Sequence, residues 1–385
     1  MPNQTPQTPN ETTVYKISAD ALQILLQKLR EHGYQVVGPT IRDEAIIYDE
    51  LESISDLPQG WQDEQAPGKY QIKNTNTKHY FAYASSPHSW KKYLQAPRIK
   101  LWQGQLKSDE TSMQVQFQSK EDRSKKYAFF GVRSCDIQAV RILDHVYEKD
   151  RMASGQHYFA IREPCFILSI DCSHPSKNCF CTSMGTGPLA ESGFDLALTE
   201  LCAGDQHFGF TVRVGSQQGA SFLQDIPHTI ASTGEQQAAQ SVIDSSKMSI
   251  SKRMETDGIK DLLYSNLEHP RWDQVAERCL SCANCTMVCP TCFCQTVEDH
   301  TDLTGQHTAR WLRWDSCFTA DFSYIHGGSL RPSTKSRYRQ WLTHKLASWI
   351  DQFGESGCVG CGRCITWCPV GIDITEEVKE IAASQ

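Results

Sequence analysis

One run of cysteines occurs twice in this chain and restricts the fold more than any other feature. Cys279-x2-Cys282-x2-Cys285-x3-Cys289-Pro290 returns as Cys358-x2-Cys361-x2-Cys364-x3-Cys368-Pro369. This is the spacing of bacterial-type [4Fe–4S] ligation. The reason is geometric. A cubane presents four irons, each needing one thiolate, and three cysteines three residues apart on a curled loop reach three of them. The fourth ligand must come from farther along the chain, and in two-cluster ferredoxins the last cysteine of each run serves the other cluster. The reading is therefore Cys279, Cys282, Cys285 and Cys368 around one cluster, and Cys358, Cys361, Cys364 and Cys289 around a second. Structural zinc takes four ligands as two short pairs, which two complete runs ending in Cys-Pro fit poorly. Gly357, Gly360 and Gly362 let the backbone approach the inorganic sulfides, where N–H groups can hydrogen-bond.

The rest of the sequence bounds the class. The chain has 385 residues, long enough for two or three domains. It carries 38 Lys+Arg against 45 Asp+Glu, a net charge of −7, which argues against a nucleic-acid partner. No apolar run reaches the roughly 20 residues of a membrane span. The start, MPNQTPQTPNETT, lacks the basic and apolar stretches of a secretory signal. Seventeen cysteines in such a chain point to metal ligation or redox chemistry in a reducing cytoplasm.

The cysteines also divide the chain. None precedes Cys135; six fall from Cys135 to Cys202, and eleven from Cys279 to Cys368. Residues 1–13 read as a flexible tail. Residues 18–32 read as an amphipathic helix capped by Ser18 and stopped at Gly33. The apolar run 126–132 reads as a strand, followed by a loop carrying Cys135 and a helix N-capped by Asp136. Strands are expected over 165–171, 194–201 and 207–215. Together, 14–215 reads as an α/β domain with a single-cluster site. The Gln/Ser/Ala/Thr-rich segment 216–257 reads as linker and peripheral helix. From 258 to 385 the pattern reads as helical, including 307–328 and 337–350, with no β-alternation. The 68 residues between the runs (290–357) are too many for a small β-type ferredoxin and suggest an α-helical, two-cluster ferredoxin domain. The expected class is α+β. Arg331, Lys335, Arg337, Arg339 and Lys345 make the intervening stretch basic. That reads as a field acting on the clusters, as a docking face for an acidic partner, or as a solvated helix face.

Nine cysteines remain. Cys135, Cys172, Cys179 and Cys181 form the best further set, because neighbouring strand ends in an α/β sheet can converge on one site. On spacing alone a third cluster, zinc and buried free thiols all stay open. Cys165 and Cys202 read as core residues. Cys292, Cys294 and Cys317 read as packing around a cluster, with ligation or a redox-active pair as alternatives. The segment 185–190 (GTGPLA) imitates a dinucleotide-binding turn, but Pro188 and the missing helix argue against it, so no FAD or NAD(P) site is expected. No P-loop or HExxH occurs, and no catalytic residue is assigned. Two rival readings stand: a thiol/disulfide-active iron–sulfur reductase and a zinc-stabilised interaction module.

The blocks FFGVRSCDIQAVRILDHVY, DCSHPSKNCFCTSMGTGP, CLSCANCTMVCPTCFC, WDSC and CVGCGRCITWCPVGIDI, in that order, resemble the beta subunit of cytoplasmic NAD(P)-linked [NiFe] hydrogenases (sulfhydrogenases). They are also similar to the electron-transfer subunit of anaerobic sulfite reductase. The resemblance covers about residues 70–380. It implies three [4Fe–4S] clusters, the third on Cys135, Cys172, Cys179 and Cys181. It further implies single-electron relay from or to a reductase subunit that binds FAD and NAD(P). At the other end of the relay stand either the small and large subunits of a [NiFe] hydrogenase or the catalytic subunit of a sulfite reductase. The implied protein is a cytoplasmic, non-catalytic subunit of an oxidoreductase complex.

Overall fold

The computed structural model describes residues 13–84, 86–108, 113–118, 125–148, 154–204 and 206–383. The tail expected over 1–13 lies outside them except for Thr13.

Successive side chains of a strand face opposite ways, and the central strands use this to build two cores. The strands are β1 (Tyr15–Ile17), β2 (Tyr34–Arg42), β3 (Ala45–Glu50), β4 (Trp61–Ala66), β5 (Lys69–Asn74), β6 (Arg98–Ser108), β7 (Met113–Gln118), β8 (Lys126–Val132), β9 (Phe166–Ile170), β10 (Leu196–Ala203), β11 (Gln206–Val214), β12 (Thr229–Ile230), β13 (Gln295–Thr301) and β14 (His307–Trp314). Eight form one sheet in the order β12-β1-β11-β10-β9-β8-β2-β3. Its middle, β2-β8-β9-β10, is parallel. Phe130 and Leu168 point to one face, under helix α1 (Ala19–Glu31) with Leu22, Leu25 and Leu26. Phe129 and Ile167 point to the other. There the helices are α2 (Lys91–Leu94), α3 (Ser134–Glu148) and α4 (Ser154–Arg162), and α3 contributes Ile137, Val140 and Leu143. Ser18 caps α1 as expected, its Oγ accepting from Ala21 N at 3.1 Å. Parallel strands covered on both faces direct their carboxyl ends to one edge, where ligands bind in open α/β sheets. Cys135 follows β8 and Cys172 follows β9 at that edge.

Residues 216–257 carry helices α5 (Gln217–Gln224) and α6 (Thr233–Ser249), and α5 adds Ala220, Phe222 and Leu223 to the first core. A third core gathers the C-terminal helices α7 (Ile259–Ser265), α8 (Arg271–Arg278), α9 (Asn284–Met287), α10 (Thr334–Thr343), α12 (Arg363–Thr366) and α13 (Ile374–Ala383), while Trp349 of α11 (Trp349–Phe353) packs with Ala139, Ile142 and Val146 of α3. Trp272, Tyr338, Trp341, Leu342, Ile374 and Val378 are its large members, and the cysteines of both runs pack against it.

Three sequence expectations fail, one of them, the loop expected at Cys135, because α3 already begins at Ser134. Residues 307–314 are strand, not helix, and pair with β13 on one side and β6 on the other, in a sheet ordered β13-β14-β6-β7. The C-terminal third is therefore not helical throughout. The Trp311–Trp314 spacing suits a helix. Cross-strand pairing prevails instead: Arg98 stacks on Trp311 at 4.1 Å, Arg310 sits over Trp102 at 5.4 Å, and Arg310 Nη2 meets Asp299 at 2.7 Å. That sheet also joins strands from either side of residue 258. Asp136 is not an N-cap, because α3 begins at Ser134 and the Asp136 carboxylate is taken by Arg363. The architecture is mixed helix and sheet, as expected.

Candidate iron–sulfur sites

The two runs fold into loops with the same backbone. Two residues after the first cysteine, Ser281 and Gly360 are left-handed, with φ of 50° and 65°; four residues after it, Ala283 and Gly362 are left-handed, at 66° and 74°. This curl brings Ser281 N to 3.4 Å from Cys279 Sγ, and Gly360 N to the same 3.4 Å from Cys358 Sγ. Each loop therefore turns backbone N–H groups towards its own sulfurs, as a thiolate-held anion requires.

The structure brings the first set together. Burial raises the Cys279 thiol, and the Cys368 and Cys282 sulfurs add to it. Burial likewise holds Cys285 well above the ordinary thiol value, with Cys279, Cys368 and Cys282 as neighbours. All four line an apolar cradle with Phe318 and Tyr338. The second set also converges. Burial pushes the Cys358 thiol up to about 12. Burial again holds Cys364 high, and Cys358, Cys361 and Cys289 follow as causes. So Cys289 has left its own run for the other, and Cys368 has done the reverse. Burial opposes ionisation at these thiols, and bound iron would supply the missing positive charge.

The exchanged Cys289 has a distinct environment. Its thiol is held well below its ordinary range by a hydrogen bond from Cys292, then by the Lys345 ammonium, against the opposing effect of burial. Lys345 Nζ donates to Cys289 Sγ at 3.3 Å, to Thr291 Oγ1 at 3.1 Å and to Gly357 O at 3.1 Å. It is 3% exposed. It sits in a π-helical turn, His344–Ser348, between α10 and α11. Such single turns inside a helix often mark functional positions. The other expected basic residues separate by role. Lys335 pairs with Asp273 at 2.9 Å and Arg339 with Glu268 at 2.8 Å, while Arg337 Nη2 reaches Ser281 Oγ at 3.5 Å.

Cys135, Cys172, Cys179 and Cys181 also lie together. Burial pushes Cys179 up to about 12, followed by the Cys172 sulfur. Burial raises Cys181, with Cys179, Cys172 and Cys361 as further causes. Cys135 is not on a loop but in the first turn of α3, within range of Cys361 and Cys181. The segment 178–186 docks on the second cysteine loop: Phe180 N donates to Gly360 O at 2.8 Å and Thr186 Oγ1 to Val359 O at 2.6 Å. A Cβ on Gly360 would stand 2.7 Å from the backbone of Cys181, and one on Gly362 2.5 Å from Asn178 O. The glycines of the second loop thus serve this contact, a role the sequence did not suggest for them. Arg133, buried under the set, donates to Asp171 O at 3.2 Å and to Phe81 O at 2.6 Å.

The all-sulfur donor set and its two Cys-x2-Cys-x2-Cys-x3-Cys-Pro runs favour clusters over single ions. Four thiolates on one zinc stand about 3.8 Å apart, the edge of a tetrahedron with bonds of about 2.3 Å. Among the described residues no three of these cysteine sulfurs lie within 4.8 Å of one another. The donor set is all thiolate and bordered by N–H donors. It fits iron–sulfur clusters, which supply one-electron redox chemistry when bound. Cys292 packs against Cys289. Cys317 donates a hydrogen bond to Cys294, and both line an open groove with Phe293 and His344.

These features define an iron–sulfur protein of electron transport. Comparison with known proteins agrees. Residues 278–372 match the 4Fe-4S dicluster domain family. The whole chain is similar to sulfhydrogenase 2 subunit beta of Pyrococcus furiosus, with 30% identity over 372 residues covering 95% of this chain and 98% of that relative. No solved structure matches. The chain belongs to the family of sulfhydrogenase beta subunits. Among the described residues no helix is long and apolar enough to cross a membrane.

Proposed function

We propose that this chain relays single electrons through three [4Fe–4S] clusters, linking a reductase subunit that binds FAD and NAD(P) to the catalytic module of a cytoplasmic [NiFe] hydrogenase. The chain itself performs no substrate chemistry. The α/β part, 14–215, holds one cluster on Cys135, Cys172, Cys179 and Cys181. The segment 258–385 is a two-cluster ferredoxin domain, with Cys279, Cys282, Cys285 and Cys368 around one cluster and Cys358, Cys361, Cys364 and Cys289 around the other. The observation that carries this reading is the docking of 178–186 on the loop from Cys358 to Cys364. It supports the reading because Phe180 and Thr186, on either side of Cys181, bond to the second cysteine loop. The family relationship supports the hydrogenase as the destination, with a sulfite reductase core as the alternative.

Iron and acid-labile sulfide per chain on anaerobically purified protein, with EPR of the reduced state, test the proposal. About twelve irons are expected. About eight would remove the third cluster and leave the N-terminal thiols structural. A second reading, thiol/disulfide-active reduction, rests on the paired Cys294 and Cys317 in their groove. Loss of turnover on alkylation with the iron intact would favour it.

A further inference from the structure

A second donor cluster lies at the hairpin of β10 and β11, and the iron–sulfur reading does not use it. Glu200 and Cys202 are two apart on β10 and so share a face. A register shift between Leu201 and Cys202 sets Cys202 opposite His207 of β11. His79 arrives from the chain after β5. The ligand atoms of His79, Glu200 and Cys202 all lie within 4.8 Å of one another.

The polar groups here gather on Glu200. The Glu200 side chain is 1% exposed, and its oxygens accept from Tyr80 N at 2.6 Å and Phe81 N at 3.1 Å. His79 Nδ1 is itself buried and faces Glu200 Oε2 at 3.6 Å. His207 Nδ1 accepts from Gly209 N at 3.2 Å, which leaves the proton on Nε2, pointing at Glu200 Oε1 from 3.3 Å. An imidazole nitrogen, a carboxylate and a thiol therefore surround one point, with backbone N–H groups and a histidine around the carboxylate. Ligating carboxylates are commonly fixed this way.

We propose that His79 Nδ1, Glu200 and Cys202 Sγ bind one divalent zinc ion, separate from the iron–sulfur sites, with a fourth position open to water. The mixed N, O and S donor set suits zinc rather than calcium or magnesium. On binding, the Cys202 proton passes to solvent; thiolate and carboxylate then balance the two positive charges. The ion ties the segment after β5 to the sheet. Because Phe81 O and Tyr83 O hold the Arg133 guanidinium at 2.6 and 2.7 Å, it also steadies the floor of the Cys172 site.

Elemental analysis of the full-length, cluster-loaded protein tests this, after chelator treatment and return of Zn2+ alone. About one zinc per chain is expected. Cys202→Ser and His79→Ala should each abolish it while iron and acid-labile sulfide stay at the wild-type count. His207→Ala should weaken zinc retention about 10–100-fold, and His207→Gln, which restores a donor to Glu200, should recover it. Zinc should raise the melting temperature of the wild type and not of Cys202→Ser. If Zn2+ is not retained, or is retained undiminished by both ligand variants, the proposal is overturned. The iron count is independent of either result, so the electron-relay reading is judged separately.

Discussion

Lys345 shows how one buried residue bears on electron transfer. A cation held at 3.3 Å from Cys289 Sγ favours the more negative, reduced state of whatever that sulfur ligates. Lys345→Met should lower the midpoint potential of one cluster by on the order of 100 mV, the scale of a unit charge several ångströms away at an effective dielectric near 20. Lys345→Arg should retain most of it. An EPR-monitored redox titration decides, and an unchanged or raised midpoint in Lys345→Met would refute the assignment. Cys294 offers a second single-residue test. Its thiol is lowered to about 7, chiefly by the hydrogen bond from Cys317. The thiolate, the reactive form, therefore populates above about 7 and fades below it. Alkylation of Cys294 by iodoacetamide should rise with pH through that value, and Cys317→Ala should move the rise to higher pH. Cys202, pushed up to about 12 by burial, should stay unreactive across the same range.

The two cysteine loops test the same backbone in different surroundings. Spacing alone suggests exchanged partners for the eight thiols of the two runs, and Cys289 does lie near Cys358, Cys361 and Cys364. Spacing does not give the backbone of the loops. Ser281 and Ala283 hold left-handed positions that glycine would occupy without strain, whereas Gly360 and Gly362 occupy the same positions in the second loop. Ala283→Gly should stabilise the protein by about 1 kcal/mol without changing the iron count, since left-handed backbone costs an L-residue about that much. Gly362→Ala should do the opposite. Its Cβ would press on Asn178 O, so the expected result is a loss of about four irons per chain as 178–181 is pushed away. A full iron count in Gly362→Ala would show that the docking is not needed for the third site. The misreading of 307–328 has a similar origin. Trp and Arg at helical spacing do not reveal a strand whose reason is a partner, β6, some 200 residues earlier. The Glu200, Cys202 and His207 grouping was hidden likewise, since it depends on a register shift.

At the scale of the molecule, the N-terminal part forms the cover of the C-terminal sites. The β4–β5 hairpin reaches the exit of the second run: Gly68 N donates to Ile365 O at 3.1 Å, and Tyr70 packs on Trp367 with ring centres 4.9 Å apart. Strand β6 continues the β13–β14 hairpin, and 178–186 closes over the loop from Cys358 to Cys364. Arg363 joins the halves, its guanidinium forked onto Asp136 at 2.9 Å with both side chains fully buried. The sequence marked out a boundary near 258 from composition, yet composition carries no record of contacts between distant segments. A fragment of 258–385 would expose the free edge of β14 and leave Arg363 without its counter-ion, which costs about 3–5 kcal/mol when one partner of a buried pair is removed. Expressed alone, it should aggregate or lose iron rapidly in air. Co-expression with 1–257 should restore a soluble brown complex. A stable isolated fragment with eight irons would instead show that the two-cluster part needs no cover, and that the interlocking serves only to place the third site beside it.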